Sequence, residues 1–362
     1  MWRSRGFETG ARLLPALAVA GLLALDGAAL AGQETSAGRV PLFEVDTSWP
    51  ETLPPTWTWR QPEESQSDVL GINADRGGHV WVTNRGIVAE FDPQGKLLQH
   101  WDARVQPGQT TIHGLYVDHN DFVWTTARDQ HQILKFTRDG KHLLTIGTFG
   151  ETGGSANTAL LGRPAEVYVD EATNELFVVD GYTNRRVIVF DAATGRYLRH
   201  WGAYGRIPDD EAGDRPVAGE FAAVSQLSVP HGIAGSRDGL IYVADRTNSR
   251  IQVFRRNGEF VQEAFTRRGT GGAFSVALSM DPAQEFVYVT DGTEHRVWIL
   301  RRSDMSVIGQ FGQLGGGAGE VGRPHNITVD PSGNVYVSEG SPPNTAFGRR
   351  AQKFAFKGFG GR

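Results

Sequence analysis

Three histidines, His113, His231 and His325, open three segments of similar pattern, HGLYVD, HGIAGSRD and HNITVD. Three neutral imidazoles are a common complement for a catalytic zinc, because they leave the fourth tetrahedral position to water or substrate. The segments belong to an internal repeat, and copies carrying a histidine alternate with copies that lack one. In a ring of six such copies the histidines would approach the axis from three directions, roughly 120° apart. One lone histidine is most simply a buried or turn residue; three at equivalent, alternating positions point to metal binding. Other groups could serve such a centre. Arg85 in VTNRG and Arg246 in VADRTNSR each follow an aromatic segment by one residue, an Asn or Asp, and both are expected on the same face of the ring. Arg128 stands at the same position in the second copy. A planar guanidinium suits a carboxylate ligand, although each arginine taken alone is as readily paired with a neighbouring acid. Tyr182 in VVDGYTNRRVIVF would act as a base only where positive charge favours its phenolate; otherwise it is a structural tyrosine.

The elements that must position these groups read as short strands. Six aromatic segments recur around Trp81, Trp124, Phe177, Tyr242, Tyr288 and Tyr336, at spacings of about 43 to 65 residues, the length of a four-stranded propeller blade with two long insertions. The insertions contain GETGGSANTALLG and GAYGRIPDDEAGDRPVAGEF. Each copy reads as a strand ending in Asp, a turn, the aromatic strand, a third strand such as RRVIVFD or SRIQVFR, and a fourth such as YLRHWG. Alternating apolar and polar positions argue for sheets packed face to face. Counting five residues back from the closing Asp gives Leu70, Ala165 and Val276 as the counterparts of the histidines in copies one, three and five. The last copy ends at RRAQKFAFKG without a fourth strand, and Val40 to Asp46, VPLFEVD, is expected to supply it and close the ring. The expected fold is an all-β six-bladed propeller over residues 65–358, preceded by a segment, 32–64, that includes the closing strand.

Composition narrows the function classes. Gly 46 and Pro 17 among 362 residues fit a turn-rich β protein, and a formal net charge of −5 gives no reason to expect nucleic acid or an anionic membrane as partner. There is no cysteine, which removes disulfides and thiolate ligands. Residues 1–31 carry Arg3, Arg5 and Arg12, an apolar run from Leu13 to Leu25, and Ala29-Leu30-Ala31, and so read as a cleaved secretory signal. A secreted or periplasmic monomer is the expectation. His100 and His200 match as fourth-strand residues, while His79, His119, His131, His142 and His295 fall near turns and are expected to be solvated.

The repeat resembles the NHL family of six-bladed propellers through elements such as GYTNRRVIVFD and DRTNSRIQVF. Within it, the chain resembles the peptidyl-α-hydroxyglycine α-amidating lyases. The resemblance rests on IHGL, VPHGI and RPHNI around the three histidines, DGYTNRR around Tyr182, and the segments of Arg85 and Arg246. It implies zinc on His113, His231 and His325, a catalytic Tyr182, and Arg85 and Arg246 in the active site. It also implies a structural calcium for which Leu115 supplies a carbonyl and Asn326 stands where the family has Asp. The implied reaction is cleavage of a peptidyl- or N-acyl-α-hydroxyglycine to an amide and glyoxylate. The animal enzymes have disulfides and a methionine two residues before the third histidine; here there are none of the former and the latter is Arg323. Two rivals are a non-enzymatic NHL propeller binding a protein or cell-envelope ligand, and a lactone hydrolase on a similar propeller. The latter chemistry usually relies on Asp, Glu and Asn around calcium, which the alternating histidines do not match.

Overall fold

The computed structural model describes residues 38–51, 53–54, 57, 69–84, 86–109, 111–212, 224–266, 271–340 and 349–361. Residues 1–31, where a signal segment is expected, and Arg85 lie outside the described residues. Six antiparallel four-stranded sheets follow one another along the chain. Blade one is typical: Val69–Ala74, Val80–Asn84, Ile87–Phe91 and Leu97–Asp102, from the innermost strand outward. Its second strand is buried throughout, whereas its fourth alternates half-buried and exposed residues, as a sheet edge facing water should.

The Asp that ends the first strand explains why the repeat holds its shape. Asp75 accepts from the backbone N–H groups of Gly77 and His79 with one oxygen, pinning the turn, and from the Trp81 indole with the other. Asp118 does the same for Asn120, Phe122 and the Trp124 indole, the last at 2.8 Å. The buried aromatic is thereby satisfied by the turn that precedes it. Six apolar clusters form the core, each made by two adjacent blades; Trp124 and Ile146 of blade two, for example, pack with Val167 and Ile188 of blade three. Trp81 and Trp124 are fully buried, and burial of a large side chain contributes on the order of 3 kcal/mol.

The ring closes as the sequence predicts. Arg39–Asp46 runs antiparallel to Ala351–Gly361 as the fourth strand of blade six, with Phe43 opposite Phe356. The Phe43 ring also lies 5.6 Å from that of Tyr288 and 5.0 Å from that of Phe311, so the closing strand is fastened to blade five as well. The two long insertions bind each other: Asp210 accepts from the Ser155 backbone N–H and hydroxyl. The buried Arg186 secures the first insertion by donating to the carbonyls of Ser155, Asn157 and Leu160. Among the described residues no helix is long and apolar enough to cross a membrane.

Candidate metal centre

The innermost strands of blades one, two, four, five and six each contain a bulge in which the axial side chain sits, whereas that of blade three pairs without a shift. The pairing slips between Ile112 and Leu115, between Pro230 and Gly232, and between Pro324 and Ile327, around His113, His231 and His325. A bulge re-aims a side chain that the pleat would otherwise send into a sheet face. The three imidazoles converge: their ring centroids are 5.0, 4.8 and 4.7 Å apart, and all three residues are buried. One nitrogen from each lies within 4.8 Å of the others, close enough to serve a single ion.

The blades without histidine orient those with one. His113 Nδ1 lies 2.9 Å from the Ala165 carbonyl oxygen, His231 Nδ1 2.8 Å from that of Phe274, and His325 Nδ1 3.0 Å from that of Leu70. A carbonyl only accepts, so each Nδ1 carries the proton and each Nε2 presents its lone pair to the axis, the arrangement that metal-ligating histidines usually show. Burial holds all three neutral. It depresses His113 and His231 well below the ordinary imidazole range and takes His325 to about 3, helped at all three by the positive charge of Arg246. The donor set and its protonation therefore fit a metal ion held by three imidazoles with a further position open.

Tyr182 stands over this opening. Its hydroxyl is 3.0 Å from Nε2 of His113 and 3.0 Å from Nε2 of His231. Its backbone N–H bonds to Arg163 as that of Arg246 bonds to Val229, so the two residues occupy one position in neighbouring blades, and Arg128, bonded to Thr111, occupies it in blade two. Tyr182 and Arg246 each sit on a tight connection secured by a buried ion pair: Asp180 accepts from Arg186 and Asn184, and Asp245 from Arg250 and Asn248. Gly181 makes the Tyr182 connection possible, since a Cβ there would lie 2.0 Å from the Pro230 carbonyl oxygen. Arg246 reaches within 3.5 Å of the Tyr182 hydroxyl, and its guanidinium carbon is 4.0 Å from the centre of the Phe274 ring. Arg128 lies 4.8 Å from the Tyr182 ring centre and is held by both oxygens of Asp129, which also pairs with Arg163.

The model for the NHL repeat matches residues 227–254, within blade four. The chain is a six-bladed propeller that carries an NHL repeat in its fourth blade. It is 29% identical over 288 residues to the mouse peptidyl-glycine alpha-amidating monooxygenase, a match covering 73% of this chain and 27% of that protein. The chain thus spans less than a third of the length of that relative. It is 28% identical over 336 residues to the Drosophila melanogaster peptidyl-alpha-hydroxyglycine alpha-amidating lyase 1, covering 87% of this chain and 56% of that one. The mouse NHL repeat-containing protein 3 is 28% identical over 325 residues, with 83% of this chain and 82% of that protein covered. The propeller is therefore similar both to amidating lyases and to a protein named only for its repeat.

The propeller brings together His113, His231, His325, Tyr182 and Arg246 at one end of its axis, with Arg128 beside them. Two expectations need correction. The counterpart of the histidines in blade five is Phe274, not Val276, because that first strand ends at Ser279, whose backbone closes the turn with Phe286, two residues before the Asp used for counting. His79 is not simply solvated: its Nδ1 lies 2.7 Å from Glu90, in a network with Asp75 and Arg138. Asn326 donates from Nδ2 to Glu166 at 2.8 Å and keeps a buried Oδ1 with no hydrogen-bond partner among the described residues, while the Leu115 side chain packs in the apolar cluster between blades one and two. Glu166 was not singled out by sequence reasoning. It is buried in the channel, burial pushes its carboxyl up to about 8, and it also accepts from Ile233 N–H and Ser275 Oγ. An acid one place after Ala165, where the other blades have Gly71, Gly114, Gly232, Ser275 and Asn326, was its only signal.

Proposed function

We propose that this propeller is a zinc-dependent lyase that cleaves the C–N bond of a peptidyl- or N-acyl-α-hydroxyglycine, releasing an amide and glyoxylate. One observation carries the reading: the Tyr182 hydroxyl lies 3.0 Å from two inward-facing histidine nitrogens and within 3.5 Å of Arg246, so acid–base, metal-ligating and carboxylate-binding groups share one opening. The similarity to amidating lyases supports it. Zinc held by His113, His231 and His325 would supply Lewis acidity toward the substrate hydroxyl. Arg246, with Arg85, binds the substrate carboxylate and fixes the reacting carbon over the histidines. Tyr182, whose hydroxyl lies between His113 and His231 with Arg246 nearby, takes the hydroxyl proton as general base. As the C–N bond breaks, the electron pair leaves with nitrogen, and Tyr182 returns the proton to it. Calcium further down the channel, with Leu115 and Asn326 among its donors, is a second proposal; the unpartnered Asn326 oxygen and the buried Glu166 carboxylate support it. Export to the periplasm or outside the cell is proposed from the signal-like segment.

The test is turnover of a short N-acyl-α-hydroxyglycine by the zinc-loaded protein, with glyoxylate measured. Tyr182→Phe is expected to cut kcat by about 100-fold, as for loss of a positioned general base, while zinc content stays unchanged. Equal turnover by Tyr182→Phe would remove the tyrosine from the mechanism. The rival, a binding propeller without activity, takes its support from the similarity to NHL repeat-containing protein 3 along most of both chains; it predicts no glyoxylate above the spontaneous rate.

A further inference from the structure

The opening carries more positive charge than one substrate carboxylate can balance. Among the described residues, four guanidiniums face it, those of Arg128, Arg163, Arg246 and Arg323, and a single carboxylate, Asp129, answers them by pairing with Arg128 and Arg163. Arg246 has only the long contact to Tyr182. Arg323 has no ion pair, and its side chain no hydrogen bond, among the described residues, yet it is only half-exposed at the start of the strand that carries His325. Its guanidinium carbon lies 5.1 Å from the centre of the Phe274 ring, the same ring that Arg246 approaches to 4.0 Å. That ring in turn lies 5.4 Å from His231 and 5.9 Å from His325. Phe274 therefore acts as a floor that holds two unneutralised guanidiniums beside the three histidines. Like charges gathered in a half-buried mouth repel, and burial together with the charge of Arg323 holds Arg246 below its ordinary range. A divalent ion on the histidines would add to the excess. Such an arrangement is relieved by an anionic ligand.

Resting on the lyase reading above, we propose that Arg323 is a specificity-determining residue that receives a second anionic group, so that the favoured substrates are N-acyl-α-hydroxyglycines whose acyl part carries its own carboxylate. The first carboxylate, on the glycine carbon, goes to Arg246; the second, on a short diacid acyl chain or an acidic residue next to the hydroxyglycine, goes across Phe274 to Arg323. A guanidinium on a ring face keeps its N–H groups free at the edge for such a partner.

Binding and turnover are tested separately. N-succinylglycine and N-succinamoylglycine have the same length, lack the reactive hydroxyl, and differ in the charge at the far end. Calorimetry on the zinc-loaded full chain at low salt is expected to show the diacid binding about tenfold more tightly, with the difference shrinking at high salt. Arg323→Gln should bring the ratio to about one, and Arg323→Lys should restore part of it. Equal affinities in the unaltered protein would overturn the proposal. So would an Arg323→Gln protein that binds both compounds more weakly by the same factor, since Arg323 would then clamp the shared carboxylate. If Arg323→Gln does not fold, the salt dependence of the ratio in the unaltered protein decides. Glyoxylate release from the hydroxylated pair separates the two readings: release without preference for the diacid defeats this proposal alone, and preference without release defeats the lyase alone.

Discussion

Among the described residues, two groups of side chains have the composition of a metal site, and only one of the two has its centre open. At the axis, His113, His231 and His325 are each tied through Nδ1 to a carbonyl of the next blade and turn Nε2 inward. At the outer part of blade one, Asp75, His79 and Glu90 also lie within ligand range of one another. There, however, the Arg138 guanidinium from blade two occupies the middle: it is 2.8 Å from Asp75 and 2.7 Å from His79, and it pairs with Glu90. The first group has lone pairs and no counter-charge; the second has its negative charge already matched. Ligand types alone do not make a site. What fills the space between them decides whether an ion or an arginine belongs there.

The comparison can be broken most forcefully at the axis. His113→Ala, His231→Ala or His325→Ala should each lower zinc affinity by at least about 100-fold, because two imidazoles cannot complete the set, and elemental analysis after dialysis against a weak chelator should find the ion lost. Unchanged zinc content in any of the three would remove that residue from the centre. The outer cluster should respond in the opposite sense. Arg138→Ala leaves the buried Asp75 and Glu90 carboxylates unmatched and should destabilise the protein by about 3 kcal/mol, read by denaturant unfolding, while zinc at the axis stays in place. The same variant sharpens the contrast, since a second equivalent of divalent ion should now raise its melting temperature. No response to the added ion would mean that the outer cluster is an ion-pair network only.

Much of this was legible in the sequence, and the reasons for the rest are physical. The repeat period, the closing strand around Phe43 and the three histidines follow from patterns that sheet pairing enforces residue by residue. The Phe274 position did not, because in blade five a serine replaces aspartate at the strand end and moves the count by two residues. Glu166 and Arg138 escaped for another reason: each matters through partners distant in the chain, Asn326 and Ser275 for the one, Asp75 and Glu90 for the other. Nothing local in the sequence marks an arginine as the plug of a cluster in the neighbouring blade.

Smaller effects are expected from residues outside the two ligand sets. Arg246→Ala and Arg85→Ala should raise KM for an N-acyl-α-hydroxyglycine by about tenfold or more, and the loss should vanish when the substrate carboxylate is converted to a neutral amide. An undiminished loss on the amide would mean that the arginines serve the fold. Removing residues 38–46 should lower the melting temperature and promote association, since blade six would present an unpaired edge and Phe43 would leave Tyr288 and Phe311 uncovered, whereas removing residues 1–31 should do neither. Equal melting of the two truncated proteins would argue against closure by this strand.

The most direct test is a titration of the metal-stripped protein with zinc while glyoxylate release from an N-acyl-α-hydroxyglycine is followed. The open triad beneath Tyr182 predicts activity that rises with added zinc and levels off at one equivalent per chain, with none in His231→Ala. A protein that binds one zinc tightly at His113, His231 and His325 and releases no glyoxylate above the spontaneous rate from any acyl derivative would contradict the account.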